Sequence, residues 1–355
     1  MFLILGILWS VSATAPGVER AEGIARSSPR VLTQWAELQR AARSLRDPTL
    51  KSAVTELLSH PVPTFVPWDS PQSLKQRKAA LVAAGLLDPG VTVEALFPKL
   101  AAPPESFLAS AGSTLNGHHA HPGGLVEHTT FNLHVALALA RAYRETAEVS
   151  GINLDALAAG VLLHDVMKPY LMGWFPDGTL ATQVSIAGTA SHHIFAVAEA
   201  IHRRLPAAVV VTLASAHDAP GTAEARVVGF LRAGALLAGE DPEALGLVKK
   251  GPDGGFHLVS MPTFEASISH LSDHDYVLSE PAAHLVNASL DRLIRAEAGA
   301  TANDVDVRWT RYRIEAQLPI LTLYAAMLQG GDSQLKKLLA RWHLRVAIAS
   351  SSQRL

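Results

Sequence analysis

The chain has 355 residues, a formal net charge of −2 and no cysteine. Disulfides and thiolate metal sites are excluded, and the near-neutral balance argues against a dedicated nucleic-acid binder, which carries a basic excess or stripe. Hydrophobic residues make up 48%, enough to bury a sizeable core, and the 16 histidines gather at 118–134, 192–217 and 257–284.

In chain order, residues 1–15 form an apolar run ending in Ala13-Thr14-Ala15. The small-residue ending predicts a signal peptide and an exported, periplasmic product. No Lys or Arg precedes the run and Pro16 follows the cut, so a mis-assigned start or an N-terminal anchor on a cytoplasmic protein is the other reading. The run is short for a membrane span, and no stable transmembrane helix is expected after processing.

Most of the chain beyond Pro16 reads as helix. Apolar residues at Val31, Leu32, Trp35, Leu38, Ala41, Ala42 and Leu45 keep a period near 3.6. Further helices are expected over Pro48–Ser59, Ser73–Ala84 and Val93–Leu100, with the prolines at 61, 63, 67 and 71 breaking regular structure. Gly123-Gly124 introduces a long helix, Leu125–Glu148. Asn153 is a candidate N-cap for a helix through Val166, which Pro169 stops. Ala187–Arg204, Ala207–His217 and Glu224–Ala238 complete a core at 104–246, preceded by a helical region at 16–103. In 247–355, Phe256–Met261 and Thr263–Ile268 alternate and are rich in β-branched residues, which predicts a small hairpin. Helices over Pro281–Ala298, Val307–Leu328 and Ser333–Ile348 then pack on the core. The fold class is mainly α.

His-Asp occurs at 164–165, 217–218 and 274–275. His164-Asp165 ends the apolar run Leu157–Leu163, whose helix must be buried on most sides. An ionised Asp buried there costs several kcal/mol unless paired, and a divalent cation is a natural partner. Upstream stands Asn116-Gly-His-His-Ala-His-Pro-Gly-Gly-Leu-Val-Glu-His128-Thr129. Downstream stand Ser191-His192-His193 and Ser215-Ala-His217-Asp218.

Together these pieces resemble the HD-domain metal-dependent phosphohydrolase superfamily, over about residues 120–240. Gly-Gly-Leu-Val-Glu-His128-Thr is similar to the first-helix motif of the branch containing 3′–5′ exoribonucleases. Leu-Leu-His164-Asp165-Val-Met-Lys168-Pro is similar to the His-Asp motif with its trailing Lys. The resemblance implies an HD-type helical bundle with added N- and C-terminal helices. It implies metal ligands at His128, His164, Asp165, His192 or His193 or both, and His217. It also implies one or two divalent transition-metal ions, with Mn, Fe, Zn, Ni and Co not distinguished. A final Asp is expected on a helix after His217. In the matching stretch, 228–241, Gly234 and Ala235 stand in its place, and Asp241 is about two turns too far along.

One candidate substitute is Ser269-His270-Leu-Ser-Asp273-His274-Asp275, where His270, Asp273, His274 and Asp275 are possible ligands. The competing reading is a solvated turn built on Asp and His. His118, His119 and His121 are expected at the mouth of the cleft, as phosphate ligands or a proton donor. His134 reads as structural and His202 as surface.

The implied chemistry is hydrolysis of a small phosphate mono- or diester. The metal lowers the pKa of bound water and polarises phosphorus–oxygen bonds. Asp165 orients or deprotonates the water, and Lys168, one turn on, neutralises phosphate oxygens. Lys168 could also be a cation favoured at a helix C-terminus. Two other readings stay open: an HD-type di-iron oxygenase, for which a His-rich shell is suited, and a degenerate, non-catalytic HD domain, which the missing Asp favours.

Overall fold

A computed structural model describes residues 15–101, 103–299, 302–342 and 344. Residues 1–14, which carry most of the expected signal peptide, lie outside the described residues, as does 345–348 of the last expected helix. Among the described residues helix dominates, and the strands form two short antiparallel pairs. No helix among them is long and apolar enough to cross a membrane.

The first helices are α1 (Ala15–Arg26), α2 (Pro29–Ser44), α3 (Pro48–Ser59), α4 (Pro71–Ala83) and α5 (Val93–Leu96). Ser28, Asp47, Ser70 and Thr92 each accept a backbone N–H of the helix they precede. Such a cap is worth about 1 kcal/mol. In the first three, proline takes an opening position where no N–H is missed. These caps explain why α2 and α4 begin two residues before the apolar pattern does.

The middle of the chain forms α6 (Gly124–Thr146), α7 (Leu154–Leu163), α8 (Lys168–Leu171), α9 (Ser191–His202), α10 (Ala207–Ala214) and α11 (Glu224–Ala238). Every residue of α7 from Ala156 to Leu163 is buried, as its apolar sequence requires. The helix expected from Ala187 begins only at Ser191. Before it, β1 (Ser185–Ile186) pairs with β2 (Thr189–Ala190) through a turn in which Ala187 and Gly188 both have positive φ.

The remainder holds β3 (Val248–Lys250), β4 (Phe256–Leu258), α12 (Phe264–Ser272), α13 (Tyr276–Ala298), α14 (Asp304–Gln317) and α15 (Ile320–Arg341). The expected hairpin exists with a different partner. Phe256–Leu258 pairs back onto Val248–Lys250 across the glycine-rich 251–255 turn. Thr263–Ile268, expected as a strand, belongs to a helix: the Thr263 side chain accepts the N–H of Ala266, and Glu265, Ala266, Ile268 and Ser269 are buried. β-Branched residues here served a cap and a packed helix face, not a pleat. The single helix expected over 307–328 divides at Leu318-Pro319, and α15 is itself interrupted at Gly330-Gly331.

α13, α14 and α15 share a second hydrophobic cluster around Val286, Leu290, Ile314 and Leu323. The main cluster runs from α1 to α12 and takes in Trp309 and Tyr312 of α14. Trp309 and Tyr312 meet Trp174 at 5.7 and 5.3 Å between ring centroids. The Trp309 indole donates to the carbonyl of Pro176, and the Tyr312 hydroxyl to that of Gly178. α14 in turn packs on α13.

Glu105 lies beneath the same tryptophan and accepts the N–H of Trp174 at 3.1 Å. Burial raises its pKa from 4.5 to about 8, against the pull of Ser110 and Trp174. A folded-state pKa above the unfolded one gives stability present below about pH 4.5 and lost as pH rises through 8. Glu105→Gln keeps an acceptor and removes the charge. Its melting temperature is expected to match the wild type near pH 5 and to exceed it at pH 8.5, by a difference worth a few kcal/mol. Parallel melting curves at the two pH values would contradict this.

Candidate metal centre

Two helix ends and one helix interior converge on a point. His128 projects from the second turn of α6. His164 is the C-cap of α7, with Asp165 following it. Asp273 is the C-cap of α12. His128 Nε2 lies 3.2 Å from His164 Nε2, 3.1 Å from Asp165 Oδ2 and 3.1 Å from Asp273 Oδ1. His164 Nε2 is 3.3 Å from Asp165 Oδ2 and 3.4 Å from Asp273 Oδ1. Two ligands each about 2.1 Å from one ion stand about 3.0 Å apart at a right angle and about 3.4 Å apart at the tetrahedral angle. His128, His164 and Asp165 therefore have the spacing of a coordination shell, and Asp273 Oδ1 stands at the same range from both imidazoles.

Hydrogen bonding makes the same point. His164 Nδ1 donates to the carbonyl of Val161 at 2.7 Å, which leaves its Nε2 lone pair facing the group. His192 Nδ1 donates to Gln183 Oε1 at 2.8 Å, and its Nε2 faces Asp165 Oδ1 at 3.0 Å. Asp165 Oδ1 and His192 Nε2 are buried with no hydrogen-bond partner, and Asp165 Oδ2 meets the Lys168 ammonium besides two imidazole nitrogens. Acceptors facing acceptors in a buried site repel unless a cation stands between them. Without a metal, a proton takes that part. Burial works to lower the His164 pKa, but Asp165 and Asp273 outweigh it and raise it to about 10. Burial likewise works to raise Asp165 and Asp273, and the imidazoles, with Lys168 beside Asp165, hold both well below the carboxylate range. The residues present fit a divalent ion.

A second, looser group shares the carboxylates. His217 Nε2 is 3.7 Å from Asp165 Oδ1 and 3.8 Å from Asp273 Oδ2. Asp165, His192 and His217 could hold another ion. The β1–β2 hairpin orients this side, since Thr189 Oγ1 lies 3.2 Å from His217 Nδ1. Lys168 forms an ion pair with Asp165 and donates to the carbonyl of Gly112. It is buried at the start of the four-residue α8, with its ammonium held against Asp165.

The carboxylate sought at Gly234-Ala235 comes from elsewhere. α11 packs along α9, and a Cβ on Gly234 would stand 2.4 Å from Val197 Cγ1. Ala235 is fully buried in the core. Asp273 is no solvated turn residue: Asn132 Nδ2, one turn beyond His128, donates to its Oδ1 at 2.8 Å. Residues 269–272 are helical and 273–275 form the turn that follows, so Asp273 stands at a helix end facing the imidazoles. Its three sequence neighbours diverge. His270 Nδ1 donates to the carbonyl of Ala216, His274 lines the cavity, and Asp275 lies 3.9 Å from His119.

His193 is turned away from the group. Its Nε2 donates to the carbonyl of Ala214, and its ring stacks on His217 at 4.0 Å and meets Phe230 edge-on. Burial keeps its pKa well below the ordinary value. Adjacent residues on a helix point about 100° apart, so only one of the pair can face the site.

The lead-in histidines are more buried than a cleft mouth implies. His121 Nε2 is 3.1 Å from Glu127 Oε2, and His119 Nδ1 is 3.6 Å from the same oxygen. Burial pushes His119 down to about 4. Arg30 pairs with Glu127 at 2.7 Å. Of the three, His118 lines the cavity, beside Glu280 of α13. Gly124 permits this arrangement, because a Cβ there would lie 1.9 Å from the carbonyl oxygen of His119. His134 is exposed and paired with Glu37, and His202 is on the surface. Asn132, Gln183 and Glu280 were missed in the sequence. None belongs to a motif, and only the caged carboxylate and imidazoles reveal their partners.

The centre opens into a cavity of about 440 Å³ lined by Gly112, Ser113, His118, Lys168, Gln183 and Glu280 besides the cluster. No protein-family profile matches the chain, and no solved structure does. It is 30% identical over 198 residues to the dihydroneopterin 2′,3′-cyclic phosphate phosphodiesterase of Methanocaldococcus jannaschii. The match covers 54% of this chain and 65% of that protein, so just under two thirds of the relative is spanned. By sequence, about half of the chain is thus similar to a phosphodiesterase.

Proposed function

We propose that this chain is a metal-dependent phosphodiesterase acting on a small phosphate diester, cyclic phosphates included. The observation that carries this reading is the cage of His128 Nε2, His164 Nε2, Asp165 Oδ2 and Asp273 Oδ1, in which each imidazole nitrogen lies 3.1–3.4 Å from both carboxylates. These four would hold one divalent transition-metal ion, and Asp165, His192 and His217 a second. When bound, such ions polarise a phosphoryl oxygen and acidify water. The chain's own groups supply the rest. Lys168, fixed against Asp165, offsets charge on the phosphoryl oxygens. A cavity of about 440 Å³ suits a small molecule. Similarity to an enzyme named for a cyclic phosphate supports the diester class.

Asp273 beside the imidazoles weighs against the degenerate, non-catalytic reading, which rested on the missing Asp. An oxygenase with the same donors would consume oxygen, and no observation favours it. The test is elemental analysis of the purified chain, followed by hydrolysis of bis(p-nitrophenyl) phosphate and a 2′,3′-cyclic nucleotide. One or two equivalents of Mn, Fe, Zn, Ni or Co, with diester hydrolysis that a chelator abolishes, is the expected result. A chain that takes up no metal, or a loaded chain inert toward every diester, sinks the reading.

A further inference from the structure

One wall of the cavity comes from outside the stretch that carries the metal-site motifs. Glu280, in the second turn of α13, presents Oε2 to His118 twice. It accepts the backbone N–H of His118 at 3.0 Å and the ring Nδ1–H at 2.7 Å. A carboxylate only accepts, so the neutral imidazole carries its hydrogen on Nδ1 and keeps a lone pair on Nε2. His118 lines the same cavity as His128, Asp165 and Lys168, and its ring centroid is 6.2 Å from that of His128. The loop bearing it is anchored by the same C-terminal helices. Arg311 of α14 donates to Asn116 Oδ1 at 3.0 Å, and Asn287 of α13 to the Asn116 carbonyl at 3.2 Å. His118 is thus a buried imidazole with one nitrogen fixed by a carboxylate and the other left for the cavity, beside the cation cage.

We propose that His118 is the proton-transfer residue of this site and Glu280 its positioning residue, an assignment that rests on the phosphodiesterase reading. As the water oxygen bonds to phosphorus, His118 Nε2 takes a proton from that water. As the bond from phosphorus to the leaving oxygen breaks, the same nitrogen returns the proton to that oxygen. Diester and water become monoester and alcohol, and the imidazole ends neutral. Between the two transfers the ring is cationic, and the Glu280 carboxylate on Nδ1 stabilises it and holds its orientation. The help matters most when the leaving oxygen is strongly basic.

The test is a series of aryl methyl phosphate diesters, from p-nitrophenyl to phenyl, on the metal-loaded chain. His118→Asn retains an amide N–H in the place of Nδ1, so the loop keeps its link to Glu280 while Nε2 is lost. Its kcat is expected to fall on every ester, by about 10-fold on the p-nitrophenyl ester, where only help to the water is lost, and about 100-fold on the phenyl ester, with KM little changed. Glu280→Gln should shift the series in the same direction by less. The double variant should be no worse than His118→Asn alone, since Glu280 acts through His118. His118→Gln, with metal content and melting temperature followed alongside, guards against a folding defect. Equal losses across the series overturn the return of the proton by His118, and unchanged rates on every ester overturn its role in both transfers. A further loss in the double variant overturns the role of Glu280. A loaded wild type inert on the whole series overturns the phosphodiesterase reading beneath both.

Discussion

Asp273→Asn is expected to release metal from the four-donor cage and to lower diester hydrolysis about a thousandfold, the several kcal/mol that a bound metal contributes to such a transition state. The substitution removes charge and little else. The amide oxygen can still accept from Asn132, so α12 keeps its tie to α6. What is lost is one of two carboxylates that together offset burial and draw a cation between His128 and His164. Elemental analysis and kcat on one diester check it. Full metal content with full activity would show that the shell closes without Asp273. The companion variant Ala235→Asp puts a carboxylate where the sequence pattern places one. It should not rescue the loss, and it should destabilise by several kcal/mol, because Ala235 is fully enclosed and a charge there has no partner.

His192→Ala and His193→Ala are expected to separate, although they change adjacent histidines of one helix. His192 faces Asp165 at 3.0 Å with its ring held by Gln183. Burial pushes it down to about 4 against the pull of Asp165, so the ring is neutral and its Nε2 lone pair free for a metal. Removing it should cost bound metal and at least about 100-fold in activity, more than an outer-shell change typically does. His193 fills space between His217 and Phe230. Removing it should leave metal content near wild type and lower stability by about 2–4 kcal/mol through the cavity created. Equal metal loss in the two variants would put His193 back among the ligands.

Legibility in the sequence differs by element. α3 and α11 are readable to the residue, since each is bounded by its own cap or glycine and carries its own periodicity. The strand expected at 263–268 is not, because a Thr that caps a helix and a Thr that pleats a strand look alike until a partner is known. The Leu318-Pro319 break and the β1–β2 hairpin likewise depend on turns whose cost is met by packing elsewhere.

The site divides along the same line. His128, His164-Asp165, Lys168, His192 and His217 sit in short patterns in which local order already places an imidazole or carboxylate at the end of a buried helix. The sequence by itself therefore determined a mainly helical chain with a histidine-rich, metal-suited centre near His164-Asp165. Only the tertiary structure decided which carboxylate joins it, which of His192 and His193 faces it, and that His118 answers to Glu280. The reason is separation along the chain. Asp273 lies 141 residues from Asn132, and Glu280 lies 162 residues from His118. Contacts at that range have no local signature. They follow from where α12 and α13 dock, α12 against α6 and α7 and α13 against α14 and α15, which is decided by the packing of the chain as a whole.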